Sequence, residues 1–338
     1  MLELIKELSL LNGTSGREDE VRNFITEQIK DCADSWEVDP PGNLIVFKKG
    51  AKVPKNKIML DAHMDEVGFM ITSINDDGTL AFEHIGGIDG RVILGRAVKV
   101  GKNKINGVIG VKPVHLLSAK ERTEIPSEMY IDIGAEDLKE AESLVSPGDC
   151  AYFNSEFVEY GNGFIKGKAL DDRAGCAILI NMIKSDLPYD MYFNFAAGEE
   201  IGTGMAGTAA YRVNPDYAIV VETTTAADLT DVPKHKQVCK LGEGAAISFM
   251  DRRTVYPREL FDKALDIAKS KGIKAQVKSA VAGGNNAGVI HKTAGGIKTV
   301  TVSLPCRYLH SPSCVLKAED ITEGEKLIRA LAEELADD

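Results

Sequence analysis

The chain has 338 residues, enough for about two domains, and 44% of them are hydrophobic, which is ordinary for a globular protein. With 51 acidic against 40 basic residues, the net charge of -11 speaks against nucleic acid or an anionic membrane surface as partner. No apolar run nears the roughly 20 residues of a membrane span, and six cysteines without paired spacing read as reduced thiols of a cytoplasmic protein.

Residues 1–8 pattern as an amphipathic helix with acidic residues, not as a signal peptide, and this helix ends near Asn12-Gly13. Ser15, with Glu18 three positions on, reads as the N-cap of a second helix running to about residue 29. Strands follow at 43–47 and 57–60, the latter entering His63. From about residue 67 the texture turns to short β-rich stretches at 68–74, 79–84, 91–94, 97–100, 105–111 and 129–133. Turns such as Asn75-Asp76-Asp77-Gly78 separate them, and 150–153 closes the block. Beyond residue 161, helices are expected at 172–183, 204–211, 258–271 and 319–335, with strands at 191–197, 217–221, 274–277 and 298–303. Such alternation implies an α/β fold with a mostly parallel sheet flanked by helices. The expected organisation is one α/β domain in two segments, 1–66 plus 159–338, with a small β-rich, barrel-like domain inserted at 67–158.

Candidate metal ligands sit just past the expected strands or at a helix mouth. They are His63, the pair Glu199-Glu200, Glu222, His310 and Asp171. In an open α/β sheet, ligands bind outside the carboxyl ends of the strands, so these groups can converge on one crevice. Two imidazoles with bridging and terminal carboxylates suit a pair of hydrolytic divalent ions, and zinc, cobalt and manganese fit alike. Asp65 stands two residues beyond His63, on the same side of an extended chain, where it can fix the imidazole. Adjacent carboxylates in Glu199-Glu200 are costly if buried without a cation; one can ligate metal while the other stays free as general base. Asp172 reads as a helix cap and Arg173 as a charge balance.

Singly, each group has an ordinary reading: a surface His-Asp pair, simple N-capping, a solvated acidic turn. Their joint placement carries the metal reading. A rival thiolate set, Cys306, His310 and Cys314, would need a continuous helix that Pro305 and Pro312 oppose. The stretch Ala282-Gly283-Gly284-Asn285-Asn286-Ala287-Gly288 lets backbone approach a ligand, or serves as a plain loop. It lacks the form of a dinucleotide site.

At this level of detail the chain resembles the cytosolic di-metal aminopeptidases of the tetrahedral (TET) and glutamyl-aminopeptidase type. The resemblance rests on Asp61-Ala62-His63-Met64-Asp65-Glu66-Val67-Gly68, Gly86-Gly87, the stretches 107–115 and 130–135, and Pro147-Gly148-Asp149. It extends through Ala169-Leu170-Asp171-Asp172-Arg173-Ala174-Gly175, Glu199-Glu200-Ile201-Gly202 and Arg307-Tyr308-Leu309-His310-Ser311-Pro312. It implies a di-zinc exopeptidase-like fold. His63, Asp171 and Glu222 would hold one ion, and Asp171, Glu200 and His310 the other, with Asp171 bridging. Glu199 would be the general base and Asp65 would orient His63. Short peptides would be the substrates, and dimers would assemble into a hollow tetrahedral dodecamer through the inserted domain. Two departures stand out: the family usually has Asp where this chain has Glu222, and its Gly-Gly-Thr-Asp-Ala loop appears as Gly283-Gly284-Asn285-Asn286-Ala287. They motivate one alternative, a catalytically impaired binding or assembly module. The endoglucanase label carried by some members motivates another, a glycoside hydrolase, although one Trp and 6% aromatics are thin for sugar stacking.

Overall fold

The segment Ile58-Met59-Leu60-Asp61-Ala62-His63 is buried at every position. Strands covered on both faces read this way, as in parallel sheets. Residues 1–126, 128–202 and 204–338 are described in the computed structural model. In chain order, β1 (Ser35–Val38), β2 (Leu44–Lys48) and β3 (Ile58–His63) come first. Then come β4 (Gly68–Ile74), β5 (Leu80–Ile85), β6 (Ala97–Val100), β7 (Ile105–Gly110), β8 (Tyr130–Asp132) and β9 (Cys150–Phe153). The remainder are β10 (Val158–Tyr160), β11 (Phe164–Gly167), β12 (Met191–Ala196), β13 (Tyr217–Thr225), β14 (Ala245–Ile247), β15 (Ala275–Val277), β16 (Lys298–Cys306) and β17 (Cys314–Lys317).

Among the described residues, the main sheet runs β1-β2-β12-β3-β13-β16-β14-β15. Its centre, β12-β3-β13-β16, is parallel, with antiparallel β2 and β14 on the two sides. Side chains alternate between two cores. Leu60 and Ala62 enter the larger one, packed under helices Leu2–Leu10, Asp19–Ile29, Leu170–Ile183, Arg258–Lys271 and Ala318–Asp337. Met59 enters the smaller one, under Ala206–Val213 and Ala287–Ile290. β4 to β9 close into a barrel ordered β4-β5-β8-β7-β6-β9. Its interior is filled around Phe69, whose ring meets Phe82 and Phe153 edge-on at 5.1 and 5.2 Å. No helix among the described residues is long and apolar enough to cross a membrane.

Three sequence expectations are corrected. Residues 91–94 are not a strand: Gly90–Ile93 is a helical turn, capped by Asp89, which accepts from the Arg91 amide at 2.9 Å. A run of three apolar residues, Val92-Ile93-Leu94, does not discriminate the two states, and the Asp89-Gly90 start tipped it toward helix. Ser15 does not cap the second helix, which begins at Asp19; its hydroxyl goes to Asp65 instead. Arg173 does not balance the Asp171-Asp172 charge. It is fully buried and donates to the carbonyls of Leu8 and Met64 at 2.7 Å, with Glu66 3.7 Å away. Asp172 does cap the following helix, accepting from the Gly175 amide at 3.2 Å.

Where the barrel joins the sheet, Lys168 Nζ donates to both Glu66 oxygens, at 2.7 and 2.9 Å, and to the Leu11 carbonyl at 2.6 Å. Both side chains are almost fully enclosed. A buried ammonium left without its carboxylate is heavily penalised. Glu66→Leu is therefore expected to lower unfolding free energy by about 3–5 kcal/mol, and adding Lys168→Met to recover part of the loss. Denaturant titration of the two variants measures both effects.

Candidate metal centre

Parallel pairing brings the strand ends to one edge. Ala196 pairs with His63, and Val220 with Asp61, so two residues further on Glu222 comes level with His63. Asp171 enters from the turn that opens the helix Leu170–Ile183, at a point where Asp171 and Asp172 are not yet helical. His310 arrives from the loop after β16 with φ 57, in the left-handed region.

Five side chains form two trios that share Asp171. In the first, His63 Nε2 lies 3.3 Å from Asp171 Oδ1 and 3.5 Å from Glu222 Oε1. In the second, His310 Nε2 lies 3.4 Å from Asp171 Oδ2 and 3.2 Å from Glu200 Oε2. Within each trio the candidate ligand atoms all fall within 4.8 Å of one another. The far nitrogen of each ring is engaged. His63 Nδ1 faces the Asp65 carbonyl at 3.0 Å and its carboxylate at 3.3 Å; His310 Nδ1 faces the Gly87 carbonyl at 2.7 Å. A ring that donates through Nδ1 presents a bare Nε2 lone pair, as a metal ligand must. The Gly87 contact fixes His310 from the barrel side; in the sequence Gly86-Gly87 entered only as part of the resemblance, with no partner assigned.

Glu199 stands outside both trios and lines the same cleft, of about 250 Å³. Asp65 accepts from the Glu199 amide through Oδ1 and from the Glu200 amide through Oδ2, both at 3.0 Å. It therefore steadies the paired glutamates as well as His63. Glu222 fits despite its extra methylene: Oε1 reaches the trio and also accepts from the Thr223 amide at 2.9 Å. The cysteine set does not form, since His310 turns to Asp171 and Glu200 while the Cys314 thiol lies near the Ser311 carbonyl at 3.5 Å. All six cysteines are free thiols.

The electrostatics are those of crowded acids. Burial pushes the Glu199 carboxyl up to about 7, aided by the charges of Asp65 and Asp171 and opposed by His63. Burial takes Glu222 to about 8, opposed by its contact with His63, and raises Glu200 well above the carboxylate range. Asp171 is pulled the other way: burial disfavours its charge, but contacts with His310 and His63 outweigh that and lower its pKa. His310 rises to about 10, its burial overcome by Asp171 and Glu200. These protein groups alone gather more negative charge than the burial tolerates. Divalent cations are the chemistry that reconciles it, and the donor set, imidazole nitrogen and carboxylate oxygen, fits them.

The cleft also holds cations. Lys278 is 4% exposed, and its Nζ donates to the Ala282 carbonyl at 3.0 Å. It lines the cleft with Arg253. Neither residue was singled out by sequence; isolated basic residues in loops carry no pattern.

A family model described as M42 glutamyl aminopeptidase matches residues 42–327. A relative from Acetivibrio thermocellus, named only at the level of aminopeptidase, is 40% identical over 331 residues, 97% of each chain. The TET aminopeptidase of the marine sediment archaeon Thaumarchaeota archaeon SCGC AB-539-E09 superposes with a TM-score of 0.94. It is 34% identical, over 99% of this chain and 96% of that one. The Pyrococcus horikoshii TET1 peptidase, described as assembling into a tetrahedron or a large octahedral shell, gives a TM-score of 0.86. It is 36% identical, over 98% and 99% of the two chains.

Asn286 turns away from the cleft's ligands and donates to Asp61 Oδ2 at 2.9 Å, while Asn194 donates to Asp61 Oδ1 at 2.6 Å. Burial raises Asp61 to about 6 even with these two donors. Asn286→Asp would set two buried carboxyls face to face, tolerable only while a proton is shared. A raised folded-state pKa means stability is lost as pH climbs through it. The variant is therefore expected to match the parent near pH 5 and to lose about 1–3 kcal/mol by pH 8, seen as a pH-dependent fall in Tm.

Proposed function

Because the chain belongs to the M42 glutamyl aminopeptidase family, we propose that it removes N-terminal residues from short peptides at a centre holding two divalent ions. In this reading His63, Asp171 and Glu222 hold one ion, and Asp171, Glu200 and His310 the other, with Asp171 shared. The observation that carries it is the pair of trios joined at Asp171, with Glu199 outside both in the same cleft. Bound ions of this kind polarise a scissile carbonyl and make water a nucleophile near neutral pH.

The chain's own groups do the rest. Glu199 takes the proton of the attacking water and returns it to the departing amine, a role suited to a carboxyl that burial has moved toward neutrality. Asp65 holds the Glu199 and Glu200 amides and the His63 ring, so that proton transfer occurs at a fixed position. A glycoside hydrolase reading uses the carboxylates but leaves His63 and His310 idle. Reducing-sugar release that survives chelator would favour it.

The partner class follows from charge. Lys278 and Arg253 face the cleft, and a buried ammonium bonded to a carbonyl gains from a carboxylate brought by the substrate. Peptides with an N-terminal Glu or Asp are the preferred substrates in this reading. The protein works as a homo-oligomer, a tetrahedral dodecamer, on the strength of one similar structure described as a dodecamer and another as assembling into a tetrahedron or a large octahedral shell, and of exposed apolar residues in the segment 110–126, namely Val114, Leu116 and Ile125. Native mass spectrometry reads that stoichiometry directly.

Loading with zinc, cobalt or manganese and assaying aminoacyl-anilides tests the activity: release that requires metal is expected, and none with any ion or substrate defeats the reading. Glu199→Gln is expected to cut kcat by about 10²–10⁴ with two ions still bound by elemental analysis. Glu-anilide should exceed Leu-anilide in kcat/KM, and Lys278→Met should shrink that advantage by about tenfold or more.

A further inference from the structure

The loop Gly13–Glu18, between the first two helices, reaches the turn that carries Glu199 by two routes. Ser15, 7% exposed, donates its hydroxyl to Asp65 Oδ2 at 2.6 Å, on the same oxygen that receives the Glu200 amide. Glu18, 4% exposed, accepts at Oε1 from the Gly198 amide at 3.1 Å and from its own loop's Gly16 amide at 2.8 Å. The loop is itself tied to the end of β3. The Glu66 amide donates to the Gly13 carbonyl at 2.9 Å, the Gly13 amide donates to Glu66 Oε1 at 3.1 Å, and Thr14 forms a bridge with Glu66. Three consecutive amides, those of Gly198, Glu199 and Glu200, thus end on two carboxylates, one from this loop and one secured by it.

We propose that Ser15 and Glu18 are positioning residues that clamp the Gly198-Glu199-Glu200 turn and so fix where the Glu199 carboxylate meets the reacting water. The turn lies beyond the end of β12, is closed by the Gly202 amide donating to the Glu199 carbonyl at 2.7 Å, and carries Gly198 at φ 65. The carboxylates that its amides meet add two anchors from outside the turn. A carboxylate that must serve one proton position loses rate steeply when displaced, about a hundredfold for an ångström. Neither residue touches a trio directly; each acts on the centre only through Asp65 and the turn. This inference rests on the reading of Glu199 as the base.

Two measurements on the metal-loaded full chain test it. In hydrogen exchange, Ser15→Ala and Glu18→Ala should each speed exchange in the segment 198–200 by tenfold or more. Ser15→Thr, which keeps the hydroxyl, and Glu18→Gln, which keeps an acceptor oxygen, should restore protection. In kinetics on the preferred anilide, the alanine variants should lose about ten- to hundredfold in kcat with KM within twofold of the parent and two ions bound, and the conservative variants should recover. Unchanged exchange in both alanine variants overturns the clamp. So does a loss of rate that tracks lost metal or a raised KM. Should the parent show no aminopeptidase activity at all, the functional reading falls, while exchange still decides whether the loop holds the turn.

Discussion

Crowding of acids at one edge of a parallel sheet is the constraint around which the rest of the molecule is arranged. Asp171, Glu199, Glu200, Glu222 and His310 line one cleft, and the buried His63 meets it through Asp171 and Glu222. Burying so many like charges is unfavourable by several kcal/mol per ion unless opposite charge comes with them. The imidazoles answer part of that charge, while burial pushes the carboxyls of Glu199 and Glu222 up. In the proposed reading, metal affinity and the basicity of Glu199 are two consequences of the same electrostatic excess.

The scaffold holds this excess in place by tying both rings and the paired glutamates from behind. Asp65 is the hub: one buried carboxylate serves the His63 ring, two backbone amides and the Ser15 hydroxyl. Hydrogen bonds to an ionised acceptor are the strong ones, and contacts with His63 and Ser15 hold Asp65 below the usual carboxylate range although burial opposes its charge. The barrel contributes the Gly87 carbonyl that fixes His310. Besides the elements that carry its ligands, the centre is thus braced from the barrel rim and from the loop before the second helix.

The departures at 222 and 286 find local explanations. The longer Glu222 side chain spans the distance while keeping its own backbone partner. Asn286 supplies donors to a buried Asp61, where a second carboxyl would have needed a proton. Neither change removes a group from the two trios, which weakens the reading of the chain as an impaired module.

The sequence by itself determined the strand-helix alternation and the β-rich insertion, and set His63, Asp171, Glu200, Glu222 and His310 where strand ends and a helix mouth can bring them near one another, because buried parallel strands are continuous apolar runs and their ends face one edge. The cap at Asp172 was legible for the same reason, being a bond between near neighbours. What the tertiary structure decided were the contacts between groups far apart in the chain. Ser15 read as a cap and became a partner of Asp65, 50 residues on; Arg173 read as a charge balance and went to the carbonyls of Leu8 and Met64. Residues 91–94 read as strand and formed a helical turn. Local pattern fixes what a segment can form and which way its side chains alternate, but a hydroxyl or guanidinium has several acceptors within reach in any local sketch. Only the packed chain, by excluding water from all but one of them, selects the partner.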